Sequence, residues 1–388
     1  MPFYIKKGSI PSKRHIQHKS AEGKLRYEEH ISREGFSDIY SNVYHLFPPT
    51  RVKKIDKFIP VELQPTKDQT YRHHHLETFK LDPYGDWVFG RQYLAFNNDL
   101  VMATTSPVKN TDFFYKNGIA DEILFVHQGQ GTLESMFGKL NFSAGDYIVI
   151  PRSVIYTMTF ESENNRLLVI ESRGAVRTPK RYRNNHGQLL EHAPFCERDF
   201  KVPEFTDPLS REGEFKIFLR LESGIQPFDL AHHPFDLVGW DGYYYPWIFN
   251  INDFMPITGK VHQPPPVHQT FEADGYVICS FVPRLYDYHD QAIPAPYAHS
   301  NVESDEIFYY VSGNFMSRRG ISKGSITLHP MGLPHGPHPG RYEESIGKKE
   351  TKELAVMVDT FRPLQLTNTA MQVDDDKYPF SWLSEDFK

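Results

Sequence analysis

The chain has 388 residues, of which 39% are hydrophobic and 14% aromatic, so it can bury a large core and is not a disordered protein. Its formal net charge of -6 gives no reason to expect a nucleic acid or an anionic membrane as a partner. No apolar signal segment or membrane-length stretch is visible, and only two cysteines occur, Cys196 and Cys279. These features predict a soluble cytoplasmic protein without structural disulfides.

Short β-strands separated by turns are predicted along the first part of the chain. The first 90 residues are weakly periodic and contain β-like runs such as Tyr40 to Phe47. Residues 92–175 alternate β-branched and aromatic runs with glycine, asparagine and aspartate turns, which is typical of a jelly-roll barrel. Residues 176–250 are rich in proline, histidine and aromatic residues and predict an irregular linker. We expect its dense aromatic segment, 239–247, at a domain interface.

A second set of strands is predicted from about residue 257 to 362, followed by a tail. The predicted fold is therefore all-β, with an N-terminal domain over residues 1–250 and a C-terminal domain over residues 251–388. In the tail, the acidic triplet 374–376 predicts a solvated turn. The aromatic segment 378–382 predicts that the tail docks through its rings.

The two sets of strands repeat one spacing pattern. In each, a glutamate stands seven residues before a glycine, and a glycine and a proline six residues apart follow downstream. One further position lies seven residues before the glutamate, and another lies five residues after the proline. The aligned positions are Tyr115, Glu122 and Tyr156 in the first set, and His299, Glu306 and His335 in the second.

Only the second set has the residue types of a metal site. Two imidazoles and one carboxylate form the facial triad that leaves coordination positions open, most often on Fe(II), although Mn, Ni or Zn could bind the same set. His299, Glu306 and His335 are thus the predicted metal ligands. Taken singly, any of the 19 histidines is more often inert. Tyrosines in place of both histidines should abolish divalent-metal affinity in the first set.

Other histidines accompany the predicted ligands. His262 or His329 could act as a general base, because the pKa of a histidine lies near neutral pH, but a structural role is an equal interpretation. The triplet 73–75 consists of three histidines. Alternating side-chain directions in an extended segment would separate its members, so we interpret the triplet as structural.

The residues around the predicted ligands resemble those of the homogentisate 1,2-dioxygenase family. The likeness covers most of residues 100–365. It implies two cupin barrels, of which the N-terminal one lacks metal ligands, and non-haem Fe(II) in the other. The matching segments are Pro296 to Asn301, Glu306, Leu328 to Pro330, Pro334 to Pro337, Val238 to Gly242, and Asp359 to Leu364.

The resemblance also implies roles for individual residues. It places the iron on the three predicted ligands and the catalytic base on His262. The substrate-binding positions fall on Tyr297 and His329. Phe315 stands where animal members have a substrate-binding tyrosine, and Arg318 where they have a lysine. Arg318 could pair with a substrate carboxylate, although a surface salt bridge is an equal interpretation.

The activity that the resemblance implies is cleavage of homogentisate by O2 to maleylacetoacetate, in tyrosine and phenylalanine catabolism. The partners would be a small aromatic substrate and O2, and the assembly a homo-oligomer, either a trimer or a hexamer. One alternative is a ring-cleaving dioxygenase acting on gentisate or hydroquinone. An alternative of another class is a non-catalytic metal-binding bicupin used for storage or ligand sensing.

Overall fold

The computed structural model describes residues 2–383, except for 314, 316, 317 and 319, and these residues form a nearly all-β protein, as predicted. Two short α-helices occur among them, α1 (Arg341–Ser345) and α2 (Asn368–Met371). Neither of these helices has the length and hydrophobicity that a membrane span requires.

The strands fall into four runs along the described part of the chain. The first six are β1 (Ile5–Gly8), β2 (Tyr27–Ser32), β3 (Tyr40–His45), β4 (Val52–Ile55), β5 (Ile59–Pro60) and β6 (His74–Leu76). The next nine are β7 (Gln92–Phe96), β8 (Leu100–Thr105), β9 (Phe114–Asn117), β10 (Asp121–Gln128), β11 (Gly131–Ser135), β12 (Gly138–Phe142), β13 (Asp146–Ile150), β14 (Tyr156–Phe160) and β15 (Arg166–Ser172).

Two further runs complete the chain. Five strands follow β15, namely β16 (Phe200–Lys201), β17 (Glu212–Leu221), β18 (Gly224–His232), β19 (Leu237–Gly242) and β20 (Trp247–Asn250). The last eight are β21 (Gln269–Ala273), β22 (Tyr276–Phe281), β23 (Arg284–Leu285), β24 (Asp305–Ser312), β25 (Ile326–His329), β26 (Glu350–Thr351), β27 (Leu354–Thr360) and β28 (Gln365–Leu366).

The segment 176–250 is not the irregular linker that its composition predicts. It contains β16 to β20, and β17 and β18 form a long antiparallel hairpin. This hairpin extends the first barrel because β17 runs parallel to β9, while β20 pairs with β13. The partner strands β9 and β13 lie far earlier in the chain, so local composition could not reveal that they stabilise this segment.

Within the described residues, the barrels are built from three large sheets. The first barrel contains a sheet of order β16-β20-β13-β10-β15-β8-β7-β28 and a sheet of order β12-β11-β14-β9-β17-β18-β4. The second barrel contains the sheet β21-β22-β27-β24-β25-β6. The two halves of the chain exchange strands, since β6 joins the second barrel and β28 joins the first.

Aromatic side chains join the two barrels. Trp247, which belongs to the segment predicted at an interface, has its ring centroid 5.2 Å from that of Phe271 in the second barrel. Phe271 also packs edge-on against Tyr147 of the first barrel. The Tyr147 hydroxyl lies 2.9 Å from Oγ of Ser280, so the polar end of this buried ring has a partner.

The acidic triplet of the tail is only partly the predicted solvated turn, since Asp376 is exposed in a turn but the side chain of Asp374 is buried. The side chain of Asp374 is 2% exposed, and its Oδ2 lies 2.7 Å from Arg72 Nη2 and 2.8 Å from His74 Nδ1. These partners lie in or beside β6, so the tail closes over the edge of the second barrel. A buried carboxylate needs such partners, which explains the position of Asp374. Tyr378 is also buried, as the predicted aromatic docking requires.

Candidate metal centre

The three predicted ligands converge in the second barrel. Glu306 lies in β24, while His299 and His335 lie in two loops that pair with each other through backbone hydrogen bonds. The His299 N–H donates to the His335 carbonyl at 2.8 Å, and the reverse bond is 2.9 Å long. One donor atom from each side chain lies within 4.8 Å of the other two.

The distances within this cluster suit one transition-metal ion. Nε2 of His335 lies 3.2 Å from Oε1 of Glu306, and Nε2 of His299 lies 3.6 Å from Oε2. Ligands bound at about 2.1 Å and at right angles to each other are about 3 Å apart, close to these separations. His335 Nε2 is buried and directed at the Glu306 carboxylate, so a cation between them would bind both donor atoms.

The charge of Glu306 is also prepared for a cation. Burial opposes ionisation of this carboxyl, but hydrogen bonds from His299, His329 and His335 hold its pKa well below the usual range. Glu306 is therefore an anionic donor, and two imidazoles complete the set. Such a mixture of nitrogen and oxygen donors suits Fe, Mn, Ni or Zn.

A glycine allows the two histidine loops to approach each other. A Cβ placed on Gly336 would lie 2.7 Å from Cα of Ala298, closer than real Cβ contacts. Any side chain at this position would therefore push the His335 loop away from the His299 loop. Glycine at this position therefore helps to set the position of His335.

His329 lies behind Glu306. It is fully buried, its Nδ1 lies 2.8 Å from Oε1 of Glu306, and its Nε2 lies 3.0 Å from the Tyr378 hydroxyl. Burial lowers the pKa of His329 to about 3, so the ring is neutral. Because a carboxylate can only accept, Nδ1–H donates to Glu306 and Nε2 accepts from Tyr378. His329 thus orients a metal ligand, as outer-shell hydrogen bonds commonly do.

Two remote segments of the chain also pack around the ligands. The ring of His73 lies edge-on to His329 and His335, with centroid distances of 5.5 and 6.1 Å. The Trp382 indole N–H donates to the Gly336 carbonyl at 2.9 Å. The side chains of the histidine triplet 73–75 point to different partners, as their alternating directions predict. The first of them, His73, nevertheless packs against the metal centre. No spacing in the sequence links His73 to the ligands.

A cavity of about 940 Å³ opens onto the cluster, with His299 and Glu306 in its wall. His262 and Tyr297 line the same cavity, and their ring centroids are 5.3 Å apart. His262 Nδ1 lies 3.0 Å from Oδ2 of Asp287. Since the carboxylate accepts this bond, Nε2 of the neutral ring is left as the proton acceptor.

Three of the predicted substrate-binding residues lie elsewhere. Among the described residues, the wall of this cavity does not include His329, Phe315 or Arg318. Phe315 is buried against the ring of Tyr310. Arg318 is 7% exposed and donates to the Gly336 carbonyl, so the interpretation as a surface salt bridge is wrong.

Asp359 is a cavity residue that the sequence reasoning missed. It lies in β27, directly opposite Glu306, and lines the cavity. Its Oδ1 is buried and has no hydrogen-bond partner among the described residues. Burial, followed by the nearby Glu306 charge, raises the pKa of Asp359 to about 7. Glu171 occupies the equivalent position opposite Glu122, but Glu171 follows Glu122 by 49 residues whereas Asp359 follows Glu306 by 53. Strand pairing, and not the spacing of the repeat, therefore reveals this residue.

Strand pairing confirms the register of the internal repeat. In both barrels the two outer positions pair with each other, and the central glutamate pairs with a second acidic residue. The pairs are Tyr115–Tyr156 and Glu122–Glu171 in the first barrel, and His299–His335 and Glu306–Asp359 in the second.

In the first barrel an arginine occupies the place of the metal ion. Nη1 of Arg91 lies 2.6 Å from Oε1 of Glu122 and 2.8 Å from Oε1 of Glu171, and all three side chains are 1% exposed. The Tyr156 hydroxyl donates to the other oxygen of Glu122 at 2.6 Å. The guanidinium neutralises carboxylates that would otherwise be buried without a counter-charge. The guanidinium therefore lies between the two carboxylates, and no histidine stands at the two outer positions of this barrel.

Comparison with known proteins agrees with this geometry. Residues 94–251 match the family described as "Homogentisate 1,2-dioxygenase N-terminal", and residues 262–386 match the corresponding C-terminal family. A protein of Saccharolobus solfataricus, named provisionally as a dioxygenase, is 43% identical over 98% of this chain and 99% of its own length. The homogentisate 1,2-dioxygenase of Bradyrhizobium diazoefficiens is 26% identical over 73% of this chain and 65% of its own length.

Among solved structures, a cupin 2 conserved barrel domain protein from Leptotrichia buccalis covers 78% of this chain and all of its own, with 11% identity and a TM-score of 0.32. The two family matches together span most of the chain, and they include all three residues of the metal cluster. The chain is a ring-cleaving dioxygenase and belongs to the homogentisate 1,2-dioxygenase family.

Proposed function

We propose that this protein binds Fe(II) through His299, Glu306 and His335 and cleaves homogentisate with O2 to maleylacetoacetate, in tyrosine and phenylalanine breakdown. The observation that supports this most is the cluster of two imidazoles and one carboxylate at the wall of a large cavity. Residues 251–388 would form the iron-binding domain. Family membership supports the substrate class and a homo-oligomeric assembly, either a trimer or a hexamer.

Iron would supply a site where the phenol and O2 lie side by side and exchange electron density. The protein's own residues prepare the substrate. His262 would take the phenolic proton on Nε2, while Asp287 holds the ring through Nδ1. Tyr297 would contact the substrate ring from the same wall. Phe281 and Phe308, 5.0 Å apart, line the cavity and would exclude water from the reacting ring.

The proposed function is tested by oxygen uptake of the Fe(II)-loaded protein with homogentisate, gentisate and hydroquinone. We expect the highest kcat/KM for homogentisate, with maleylacetoacetate as the product. A higher kcat/KM for gentisate or hydroquinone would assign that compound as the substrate in place of homogentisate. Metal binding without oxygen uptake on any of the three would identify a non-catalytic bicupin. Metal analysis of the protein as purified tests the assignment of iron.

We expect His262→Ala to lower kcat about 10²- to 10⁴-fold, the usual contribution of a positioned general base. The metal content should stay unchanged, because His262 lies outside the ligand cluster. Oxygen uptake over a range of pH measures kcat, and metal analysis measures the metal content. Asp287→Asn should give a smaller loss, since it weakens only the orientation of the ring. Parallel loss of iron in His262→Ala would contradict the role of base.

A substrate carboxylate requires a cation in the cavity, and Lys260 is our candidate. Arg284 also lines the cavity, but its guanidinium is 3.0 Å from Glu353. Lys260 lines the same cavity, and the structure records no ion pair for it within the described residues. Arg318 lies outside the cavity wall.

We therefore expect Lys260→Gln to raise KM for homogentisate about 10-fold, the cost of one charge-assisted hydrogen bond. Turnover of hydroquinone, which has no carboxylate, serves as the internal control and should not change. Steady-state oxygen uptake measures both substrates. Equal effects on the two would show that Lys260 does not recognise the carboxylate.

A further inference from the structure

A second cavity, of about 430 Å³, is lined by four arginines. Within the described residues, it shares no lining residue with the cavity at the metal centre. Arg33 follows β2, Arg152 follows β13, and Arg173 and Arg177 follow β15. Two acidic residues, Glu34 and Asp274, also line it, and three further carboxylates, those of Asp121, Glu222 and Asp38, face arginines of this wall. Three separate parts of the fold therefore bring guanidinium groups to one small space.

Some guanidinium N–H groups at this cavity have no hydrogen-bond acceptor within the described residues. Arg33 Nη1 donates to Asp121 at 2.6 Å. Arg152 Nε lies 3.8 Å from the same carboxylate, is buried, and has no hydrogen-bond partner among the described residues. Arg177 lies 3.8 Å from Asp38, which is beyond hydrogen-bond distance. A buried donor without a partner is costly, and an anion in the cavity would satisfy it.

The positive charges also act on each other. Burial, and then the nearby Arg33 and Arg173 guanidiniums, lower the pKa of Arg152, although Asp121 opposes this. Asp121 is shared between Arg33 and Arg152, so one carboxylate serves two guanidiniums. Arg173 pairs with Glu222 at 2.8 Å, whereas the guanidiniums of Arg152 and Arg177 have no hydrogen bond to a carboxylate among the described residues. Guanidiniums in this state can donate hydrogen bonds to an oxyanion.

The backbone at this cavity is strained. Three non-glycine residues within the described part of the chain have φ in the left-handed region, and two of them line this cavity. These are Glu34, with φ of 47°, and Ser153, with φ of 64°. Such conformations are sparsely populated and cluster at ligand-binding sites. This observation is independent of the charges.

We propose that this cavity binds a small dianionic oxyanion, either a phosphate or a dicarboxylate, held by the guanidiniums of Arg152 and Arg177. Planar guanidinium groups donate two parallel hydrogen bonds to phosphate or carboxylate oxygens, which the geometry of both groups allows. The volume suits a small molecule rather than a peptide. The site is separate from the ring-cleaving reaction and does not depend on which aromatic substrate is used.

Isothermal titration of the iron-loaded full chain with inorganic phosphate, and separately with succinate, tests this proposal. We expect saturable binding of at least one of the two. Binding of phosphate alone would assign a phosphate site, and binding of succinate alone a dicarboxylate site. Arg152→Gln and Arg177→Gln should each weaken binding about 10-fold or more. Arg51→Gln, which removes a surface arginine paired with Glu212, is the matched control and should bind like the parent.

Two results would overturn the proposal. One is the lack of saturable binding of either anion. The other is binding of unchanged affinity in the variants, which would place the anion elsewhere, for example at the metal. Thermal denaturation shows whether each variant is folded. If Arg152→Gln does not fold, the Arg177→Gln variant tests the proposal instead. The Arg177 side chain is 35% exposed and makes no side-chain hydrogen bond within the described residues, so its loss should not prevent folding.

Discussion

Replacing His335 by alanine is expected to remove the metal ion and, with it, the oxygen uptake. His335 is one of three donors in the described cluster, and its side chain is 1% exposed, so water can replace it only poorly. Loss of an outer-shell partner alone commonly costs 10- to 100-fold in metal affinity, and loss of a ligand should cost more than about 100-fold. Metal analysis and oxygen consumption on the same preparation measure this effect.

The matched control is His186→Ala, which removes an exposed histidine from the first half of the chain. This variant should leave the metal content and the oxygen uptake unchanged. His335→Ala protein that retains one metal ion per chain, with the activity of the parent, would show that the cluster is not the metal site. Loss of activity with full metal content would mean that His335 acts on the substrate and not on the ion.

Replacing Arg91 by methionine is expected to destabilise the first barrel by about 3–5 kcal/mol, the usual cost of removing one partner from a buried ion pair. The variant would leave Glu122 and Glu171 buried without a counter-charge. Methionine fills most of the same space, so the loss of charge and not of volume would dominate. Chemical denaturation, followed by fluorescence of the buried tryptophans, measures the free energy of unfolding.

Two further variants separate charge from packing in this prediction. Glu122→Gln combined with Glu171→Gln in the Arg91→Met background should recover part of the stability, because the uncompensated charges are then absent. Arg51→Gln, at an exposed pair, should cost less than about 1 kcal/mol. If Arg91→Met were as stable as Arg51→Gln, the guanidinium would not have the role of a cation in the first barrel.

The Arg91 site explains how the first barrel keeps two buried carboxylates without a metal ion. Both barrels place two carboxylates on neighbouring strands, and each needs a positive charge between them. The first uses an arginine of its own chain, which fixes the site permanently and makes it independent of metal supply. The second has two histidines and an open cavity, an arrangement that suits an exchangeable metal ion. The two barrels therefore place different groups at equivalent positions, a guanidinium in the first and two imidazoles in the second.

The sequence alone predicted the all-β fold, the internal repeat and the three clustered residues His299, Glu306 and His335. It could do so because strand periodicity and turn lengths constrain where residues at fixed spacing point, and this constraint is local. Only strand pairing revealed the equivalence of Asp359 with Glu171, because the two residues lie at different spacings from the glutamates of the repeat.

Only the tertiary structure decided which residues surround those ligands. Arg91 contacts Glu122 in the first barrel. In the second barrel, the side chains packed around the ligands are those of His73, Tyr378 and Trp382. No periodic pattern in the sequence connects these residues to the glutamates or to the histidine ligands. The structure also turned the supposed linker into barrel strands and placed His329 behind Glu306, outside the cavity wall. These outcomes depend on long-range strand pairing and on the side of the sheet that each residue faces, which are settled when the whole core packs.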